Sequence, residues 1–290
     1  MKFEFVHKQK KAFPTTVLCK VMNVSRSGYF SWVKRFPSKR MKEIESLKPV
    51  VSDVQRRYRS SCGSRRMCVE LKKLGVQAGR KKVSTLMKIA EAPYIPAKRY
   101  RVTTDSNHNF TKSPNILNRA FNVCLPNQVW ISDITYLWTQ EGWLYLAIIM
   151  DLYNREIIGM AIDSQMETKL IVEALKAAYW HKKPRKGLIF HSDRGSQYCS
   201  KQFLALLQFY GMASSMSRKG NCWDNSVAES FFASLKKERT MRTVYKTRKE
   251  AKNDVLDYVY MFYNSNRVHS YLDYKTPKET AENQYLEKVA

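Results

Sequence analysis

Three acidic residues in the second half of the chain, Asp133, Asp193 and Glu229, stand where a carboxylate needs a partner. Asp133 lies in the apolar run WISDITYLW, where burying an unpaired carboxylate costs free energy. Asp193 follows the apolar segment LIF, and Glu229 lies beside the apolar positions of a predicted helix. Carboxylates that converge repel one another, and a pair of Mg²⁺ ions, with Mn²⁺ as a substitute, would neutralise them. Such ions promote in-line displacement at phosphorus, so the residues predict phosphoryl-transfer chemistry.

Other acidic residues compete for these places, because residues 121–290 contain 18 of them. Asp151 ends an apolar strand near Asp133, and we expect it to support the site, with direct metal contact as the alternative. Asp224 precedes a predicted helix and is typical of a helix cap. The remaining competitors, Asp163 and Glu238, are interpreted as solvated charges.

The charge of the chain indicates what it binds. Lys and Arg number 51 against 25 Asp and Glu, and the formal net charge of +26 is typical of proteins that bind nucleic acid. A basic surface without a ligand is the alternative interpretation. Residues 1–120 hold 28 basic and 7 acidic side chains, so we expect most of the DNA-binding surface there.

Two pairs of helices are predicted in this basic part. The segment FPTTVLCKVMNVSRSGYFSWVKR predicts two helices, the second capped by Ser25, and SRRMCVELKKLG with VQAGRKKVSTLMKIA predicts another pair. Such pairs can place a basic helix in the major groove, although helical hairpins are also ordinary packing units. The DNA-binding candidates are Arg65, Arg66, Arg80, Lys81 and Lys82.

The sequence around the three carboxylates predicts the strands and helices that must position them. Three runs, NQVWISDITYLW, WLYLAIIMDLY and EIIGMAID, predict three antiparallel strands, and two further strands alternate with helices after them. This order predicts an α/β domain with a mixed sheet and flanking helices, preceded by an α-helical region. We expect a helix-turn-helix-like segment at 1–48, a second basic one at 49–92, a proline-containing linker at 93–118 and the catalytic core at 119–283.

Nothing in the sequence predicts a membrane protein or a disulfide framework. No run of about 18 apolar residues occurs, and the amino end carries charges where a signal peptide needs an apolar stretch, which favours a cytoplasmic protein. The six cysteines show no CxxC spacing and favour reduced thiols over a zinc site.

Longer motifs carry a resemblance. NQVWISDITY, HSDRGSQYCSKQF and SMSRKGNCWDNSVAESFFASLKKE resemble the catalytic core of the IS3 family of insertion-sequence transposases, including the 35 residues between Asp193 and Glu229. Lys236, seven positions after Glu229, matches a basic residue of that family. Because seven positions are two helical turns, Lys236 should share a face with Glu229 and meet the scissile phosphate or a terminal base. A surface lysine is the alternative.

The resemblance implies a ribonuclease-H-like fold of the retroviral integrase type, Mg²⁺ dependence, and cleavage of the donor end followed by transfer of its 3′-hydroxyl to target DNA. It also implies that this chain is a bacterial, nucleoid-associated downstream-frame product. An upstream-frame protein, or a frameshift fusion with it, would be its partner, and it would form a homo-oligomer on DNA. A non-catalytic DNA-binding regulator and a structure-specific nuclease of the same fold are the alternative functions.

Residues around the carboxylates have two interpretations each. Arg194 could hold a phosphate or form a loop salt bridge, and His191 could transfer a proton, although a structural hydrogen bond is favoured. Arg218 and Lys219 belong to a basic loop suited to a DNA end, or to a solvated loop. Trp223 could stack on an unpaired base or anchor its loop in the core.

Overall fold

The computed structural model describes residues 2–36, 38–94, 112–219 and 221–289, without the side chains of residues 222 and 284–289. Most of the linker predicted at 93–118 therefore lies outside the described residues. Its last part packs on the core, because Leu117 is buried and the backbone amides of Ile116 and Leu117 donate to Ser215 Oγ.

Three short helices, α1 (Lys2–Gln9), α2 (Thr15–Val21) and α3 (Arg26–Val33), form a small hydrophobic cluster of their own. Val6, Leu18 and Tyr29 lie at its centre. The predicted cap of α3 is present, since the Gly28 amide donates to Ser25 Oγ at 3.0 Å. The two predicted helices of this segment therefore exist.

The next three helices are α4 (Lys39–Arg57), α5 (Ser64–Lys73) and α6 (Arg80–Ile89). Their buried residues, which include Val51, Leu71 and Leu86, belong to the same hydrophobic cluster as one face of the sheet described below. The boundary predicted after residue 48 falls inside α4. The chain instead passes from the first hydrophobic cluster to the second between α3 and α4. We therefore propose that the division between modules lies near residues 34–38.

Five strands form one sheet: β1 (Val129–Thr139), β2 (Gly142–Asp151), β3 (Ile157–Asp163), β4 (Ile189–Ser192) and β5 (Ala213–Met216). The strand order is β3-β2-β1-β4-β5. The β1–β2 and β2–β3 pairs are antiparallel, as predicted, and β4 and β5 continue the sheet in parallel with β1. This mixed sheet with flanking helices confirms the predicted α/β class and ribonuclease-H-like fold.

Both faces of the sheet are covered, because successive side chains of a strand point to opposite faces. Leu146 and Ile148 of β2 pack on one side, and Ala147 and Ile149 pack on the other. The second side is covered by α7 (Thr168–Lys182) and α8 (Lys201–Phe209), and the first by α9 (Ser226–Leu235) and α10 (Arg248–Leu256), whose hydrophobic cluster also includes residues of α4–α6. The strands consequently carry nearly continuous apolar runs.

The remaining elements lie around α9 and after α10. A 3₁₀ turn (Cys222–Asn225) precedes α9, and a π-helical segment (Lys236–Thr240) continues it directly. A second π-helical segment (Asp257–Tyr263), a 3₁₀ turn (Ser270–Leu272) and α11 (Pro277–Val289) complete the chain. None of the helices among the described residues is long and apolar enough to span a membrane.

Candidate active site

Two of the predicted carboxylates lie side by side because of the strand register. In the parallel pair β1–β4, Ile131 faces His191. Asp133 and Asp193 each follow two residues later, so the two aspartates lie side by side at the same height of the sheet. Hydrogen bonds hold both side chains, since the Ile134 amide donates to Asp133 Oδ1 at 2.8 Å and the Gly195 amide donates to Asp193 Oδ1 at 2.9 Å.

Helix α9 brings the third carboxylate to the same place. Its apolar residues Phe231 and Leu235 are buried against the sheet face that also carries Ile131. Asp133, Asp193 and Glu229 together line one cavity of about 650 Å³. The structure therefore gathers the three residues that the sequence singled out, from two adjacent strands and a helix.

The electrostatics of this cavity are unfavourable for a charged Asp133. Burial raises the pKa of Asp133 well above its usual range, and the nearby carboxylates of Asp193 and Glu229 raise it further. Burial also raises the pKa of Glu229. A positive charge in the cavity would relieve this repulsion.

The donor set fits a hard divalent cation, because carboxylate oxygens are the ligands that Mg²⁺ and Mn²⁺ prefer. Among the described residues, no three His, Cys, Asp or Glu side chains are close enough to hold one ion together. Asp133, Asp193 and Glu229 line one cavity, and the charges of Asp193 and Glu229 both act on Asp133, so these are the carboxylates that would hold such ions.

Lys236 lines the same cavity and is buried, with only 5% of its surface exposed. The interpretation as a surface lysine is therefore wrong. Burial lowers the pKa of Lys236 to about 8, and the charge of Asp133 opposes that decrease. Its Nζ lies 5.2 Å from the centre of the Tyr136 ring. The α-helix gives way to the π-helical segment at Lys236, which the count of two regular turns did not predict.

One wall of the cavity is aromatic, which was not predicted from the sequence. Tyr136, Trp143 and Tyr145 line it, and Trp143 pairs across the strands with Trp138 at a ring distance of 4.8 Å. Both tryptophans are substantially exposed. The signal was the pair of tryptophans flanking the predicted β1–β2 turn, which apolar alternation alone does not explain.

The basic loop residues lie outside this cavity. Arg194 Nε donates to the Ser217 carbonyl at 2.6 Å, and the exposed Arg218 forms a bidentate pair with Asp224. Lys219 is exposed. Trp223 is 69% exposed, so it does not anchor its loop in the core.

Asp224 is an organiser of this loop and not a helix cap. Its buried carboxylate accepts hydrogen bonds from Arg218, Arg119 and Asn115, and the bonds from Arg218 and Arg119 hold its pKa well below the usual range. The residue that precedes α9 is Asn225, whose side chain makes no cap hydrogen bond. The cap interpretation failed because the Asp224 carboxylate accepts from Arg218 of its own loop and from the distant Arg119 and Asn115, and not from the first amides of α9.

His191 is buried beneath the site and makes structural contacts, as favoured from the sequence. Nδ1 lies 2.9 Å from Ser215 Oγ, and Nε2 lies 3.0 Å from the Asp224 carbonyl. Burial lowers its pKa to about 4. It does not line the carboxylate cavity.

Replacing His191 should change how stability depends on pH. Because the folded-state pKa lies below the unfolded value of about 6.5, protonation favours the unfolded chain, and stability is lost as pH falls from about 6.5 to about 4. This loss amounts to about 3 kcal/mol and is absent in His191→Gln. The stability difference between wild type and variant, measured by urea unfolding near pH 7 and near pH 4, should shrink by that amount. A constant difference would show that His191 titrates normally.

Asp151 supports the sheet away from the cavity. It lies opposite Trp130 in the β1–β2 pair. Its carboxylate accepts hydrogen bonds from the backbone amides of Asn127 at 2.8 Å and Tyr153 at 3.0 Å. Burial raises its pKa to about 6. These contacts support the structural interpretation over metal binding.

Asp151→Asn should therefore reduce Mg²⁺-dependent DNA cleavage by no more than about tenfold while lowering the Tm, because it weakens contacts to two backbone amides. Cleavage and thermal unfolding are measured on one preparation, beside Asp133→Asn as the matched change. A loss of cleavage as deep as that of Asp133→Asn would make Asp151 a metal ligand.

Three of the five basic candidates of the helical region line a second cavity of about 590 Å³, namely Arg65, Arg66 and Arg80. Arg66 pairs with Glu238 at 3.0 Å, and Arg80 Nε donates to Ser64 Oγ at 3.3 Å. The other two do not line it: Lys82 pairs with Glu43, and Lys81 is exposed. Three of the five candidates are thus brought together, apart from the carboxylates.

Comparisons with known proteins identify the family. Two models of the integrase core domain match residues 125–222 and 229–286. The first range contains Asp133 and Asp193, and the second begins at Glu229. A magnesium-bound integrase catalytic core of HTLV-2 is similar with a TM-score of 0.42 and 18% identity, covering 54% of this chain and 97% of that one.

The relatives are closer. The 31 kDa protein of insertion element IS600 from Shigella sonnei is 42% identical, over 90% of this chain and 96% of its own length. Transposase InsF of insertion sequence IS3A from Escherichia coli K12 is 34% identical, over 96% of this chain and 98% of its own. Since such identity extends over nearly the full length of these relatives, the chain belongs to the IS3 family of insertion-sequence transposases.

Proposed function

We propose that this chain is a transposase of the acidic-triad type, which cleaves the donor end of its element and joins the exposed 3′-hydroxyl to target DNA. The observation that carries the proposal is that Asp133, Asp193 and Glu229 line a single cavity with the buried Lys236. The repulsion at Asp133 supports it, because a site with such excess negative charge is suited to cations and a phosphodiester.

Asp133, Asp193 and Glu229 would hold the two Mg²⁺ ions expected, or Mn²⁺ in their place. When bound, the ions activate the attacking hydroxyl and stabilise the leaving oxygen of an in-line displacement. Lys236 places its ammonium beside the same carboxylates and contacts the scissile phosphate. The aromatic wall of Tyr136 and Trp143 limits the water around that phosphate.

Two displacements at phosphorus account for the activity. In the first, the oxygen of water bonds to the phosphorus at the element end, the bond from phosphorus to the 3′-oxygen breaks, and the 3′-hydroxyl is released. In the second, this 3′-hydroxyl bonds to a phosphorus of target DNA, and the target strand leaves with its own 3′-oxygen. Both steps displace one oxygen at phosphorus, so one cavity serves both.

DNA is the proposed partner, as both the terminal repeats and the target. The proposed contacts are Arg194, Arg218 and Lys219 near the carboxylates and Arg65, Arg66, Arg80, Lys81 and Lys82 in the helical region. We further propose that the chain acts in the bacterial cytoplasm on the nucleoid, as a homo-oligomer on DNA and with an upstream-frame protein or as a frameshift fusion with it.

The proposal is tested by incubating the purified chain with labelled DNA carrying the element ends, in Mg²⁺ or Mn²⁺, and resolving the products strand by strand. A nick at the 3′ end of the element, followed by joining of a pre-cut end to a second DNA, is the expected result. Nicking without joining would indicate a structure-specific nuclease. DNA binding without either product would indicate a non-catalytic regulator.

A further inference from the structure

A separate cavity of about 510 Å³ lies against a different face of α9 from the carboxylates. Helix α9 turns Ser226, Ser230 and Ser234 toward it, while Glu229 lines the carboxylate cavity. These serines are four residues apart and form one stripe on the helix, about 100° round from the residues that face the carboxylates. One helix therefore forms a wall of both cavities.

The second wall consists of arginines. Arg65, Arg66, Arg155 and Arg267 line this space, which we call the arginine cavity, and no Asp or Glu lines it within the described part of the chain. The Glu238 carboxylate, just outside, pairs with both Arg66 at 3.0 Å and Arg267 at 2.9 Å. One carboxylate thus serves two guanidinium groups, and the cavity keeps a clear excess of positive charge.

Arg155 shows what the cavity lacks. Only 6% of its surface is exposed, and its guanidinium lies 3.9 Å from the centre of the Tyr271 ring. Nη2 donates to the Phe121 carbonyl at 3.3 Å, but Nη1 is buried with no hydrogen-bond partner among the described residues. Leaving a buried charged donor unsatisfied is costly, so an acceptor from outside the chain is expected there.

His269 offers a second unsatisfied atom in the same cavity. Arg267 Nη1 donates to His269 Nδ1 at 3.5 Å, which leaves the proton of the neutral ring on Nε2. Burial and the neighbouring arginines lower the pKa of His269, so the ring is neutral. Nε2 is buried and, among the described residues, also has no acceptor. Two donors on different segments therefore lack the same kind of partner.

We propose that the arginine cavity binds a backbone phosphate of DNA, held by Arg155 Nη1 and His269 Nε2 and by the serine hydroxyls of α9. Phosphate oxygens accept several hydrogen bonds and carry the charge that the arginines leave unmatched. A polymer is favoured over a single anion because the cavity lined by Arg80 and Arg242 shares Arg65 and Arg66 with this one, which extends the basic surface beyond one phosphate. The assignment rests on the proposed function in taking DNA as the substrate.

The test is equilibrium binding of the full chain to a labelled duplex in EDTA, followed by fluorescence anisotropy over a series of salt concentrations. Arg155→Gln should weaken binding about tenfold near 0.1 M salt and lower the slope of log affinity against log salt by about one, because one phosphate contact is lost. Arg155→Lys, which keeps the charge, should recover part of the affinity. Lys176→Gln removes the same charge from an exposed position on α7, across the sheet, and should bind within about twofold of wild type.

Ser230 provides an independent variant, because it is exposed and its replacement leaves the core intact. Ser230→Glu places a carboxylate among the arginines and should weaken binding about tenfold, whereas Ser230→Ala removes a single hydroxyl contact and should weaken it by about threefold at most. Should Arg155→Gln fail to fold, the Ser230 pair decides. If Arg155→Gln and Ser230→Glu bind DNA like Lys176→Gln, the proposal is overturned.

Two further outcomes separate this inference from the proposed chemistry. Binding requires neither metal nor cleavage, so a chain that never cleaves DNA but loses affinity in these variants would retain the phosphate site and lose the proposed function. If inorganic phosphate raises the Tm of wild type but not of Arg155→Gln while DNA affinity is the same in both, the cavity binds a free anion and the DNA assignment is overturned.

Discussion

Replacing Asp133, Asp193 or Glu229 by the amide of the same size should lower Mg²⁺-dependent cleavage of the element end by about 1,000-fold or more, with DNA affinity nearly unchanged. The reason is that the acidic and the basic side chains line different cavities of the molecule. The three carboxylates line their own cavity, whereas the arginines that suit DNA line others. Cleavage is measured on labelled ends, and affinity by anisotropy without metal.

A second readout reports metal binding directly. Mg²⁺ should raise the Tm of wild type, because ions that bind the folded chain stabilise it, and should do so much less in Asp133→Asn. Asp151→Asn is the matched control and should respond to Mg²⁺ like wild type. Full cleavage by any one of the three amide variants would remove that residue from the site.

Lys236→Ala should depress cleavage and strand transfer about 100-fold, because it removes a buried positive charge from the cavity that holds the three carboxylates. Lys236→Arg should keep part of the activity, since the charge survives while the planar group alters the geometry. Activity is measured with protein in excess over DNA, so that differences in affinity do not enter.

Lys237 is the matched control for this lysine, because it is the next residue and is exposed. Lys237→Ala should cleave like wild type under the same conditions. Equal and small effects of the two alanine variants would mean that the burial of Lys236 serves only the packing of the helix. Circular dichroism and Tm of both variants establish that the fold is intact.

The local features of this fold could be predicted from the sequence, whereas the long-range ones could not. The apolar runs of β1, β2 and β3 and the turns between them are local, and the antiparallel meander was predicted from them. Gly211, just after the end of α8, is also a local signal, because it adopts a φ of 69°, which glycine reaches without strain. The parallel alignment of β1 with β4 joins segments about sixty residues apart, and nothing local specifies it.

The site shows the same difference. Asp133, Asp193 and Glu229 were found because motifs carry them, but the pairing of Asp224 with Arg119 depends on residues 105 positions apart. Arg155 was missed altogether. Its turn resembles any polar connection between strands, and only the folded chain places its guanidinium on Tyr271 and beside the serines of α9.

The hydrophobic cluster that joins α4–α6 to the sheet determines how the chain can be divided. Val51, Leu71 and Leu86 belong to the same interior as Ile148 of the central sheet, so a chain cut after α6 would expose apolar surface on both fragments. The first three helices share no residue with that interior. A peptide of residues 1–36 has fewer than the roughly 40 residues that a chain usually needs to fold unaided, whereas residues 38–290 keep the whole of that interior. Helices α4–α6 are therefore not a detachable arm, because their buried residues belong to the same interior as the sheet that carries Asp133.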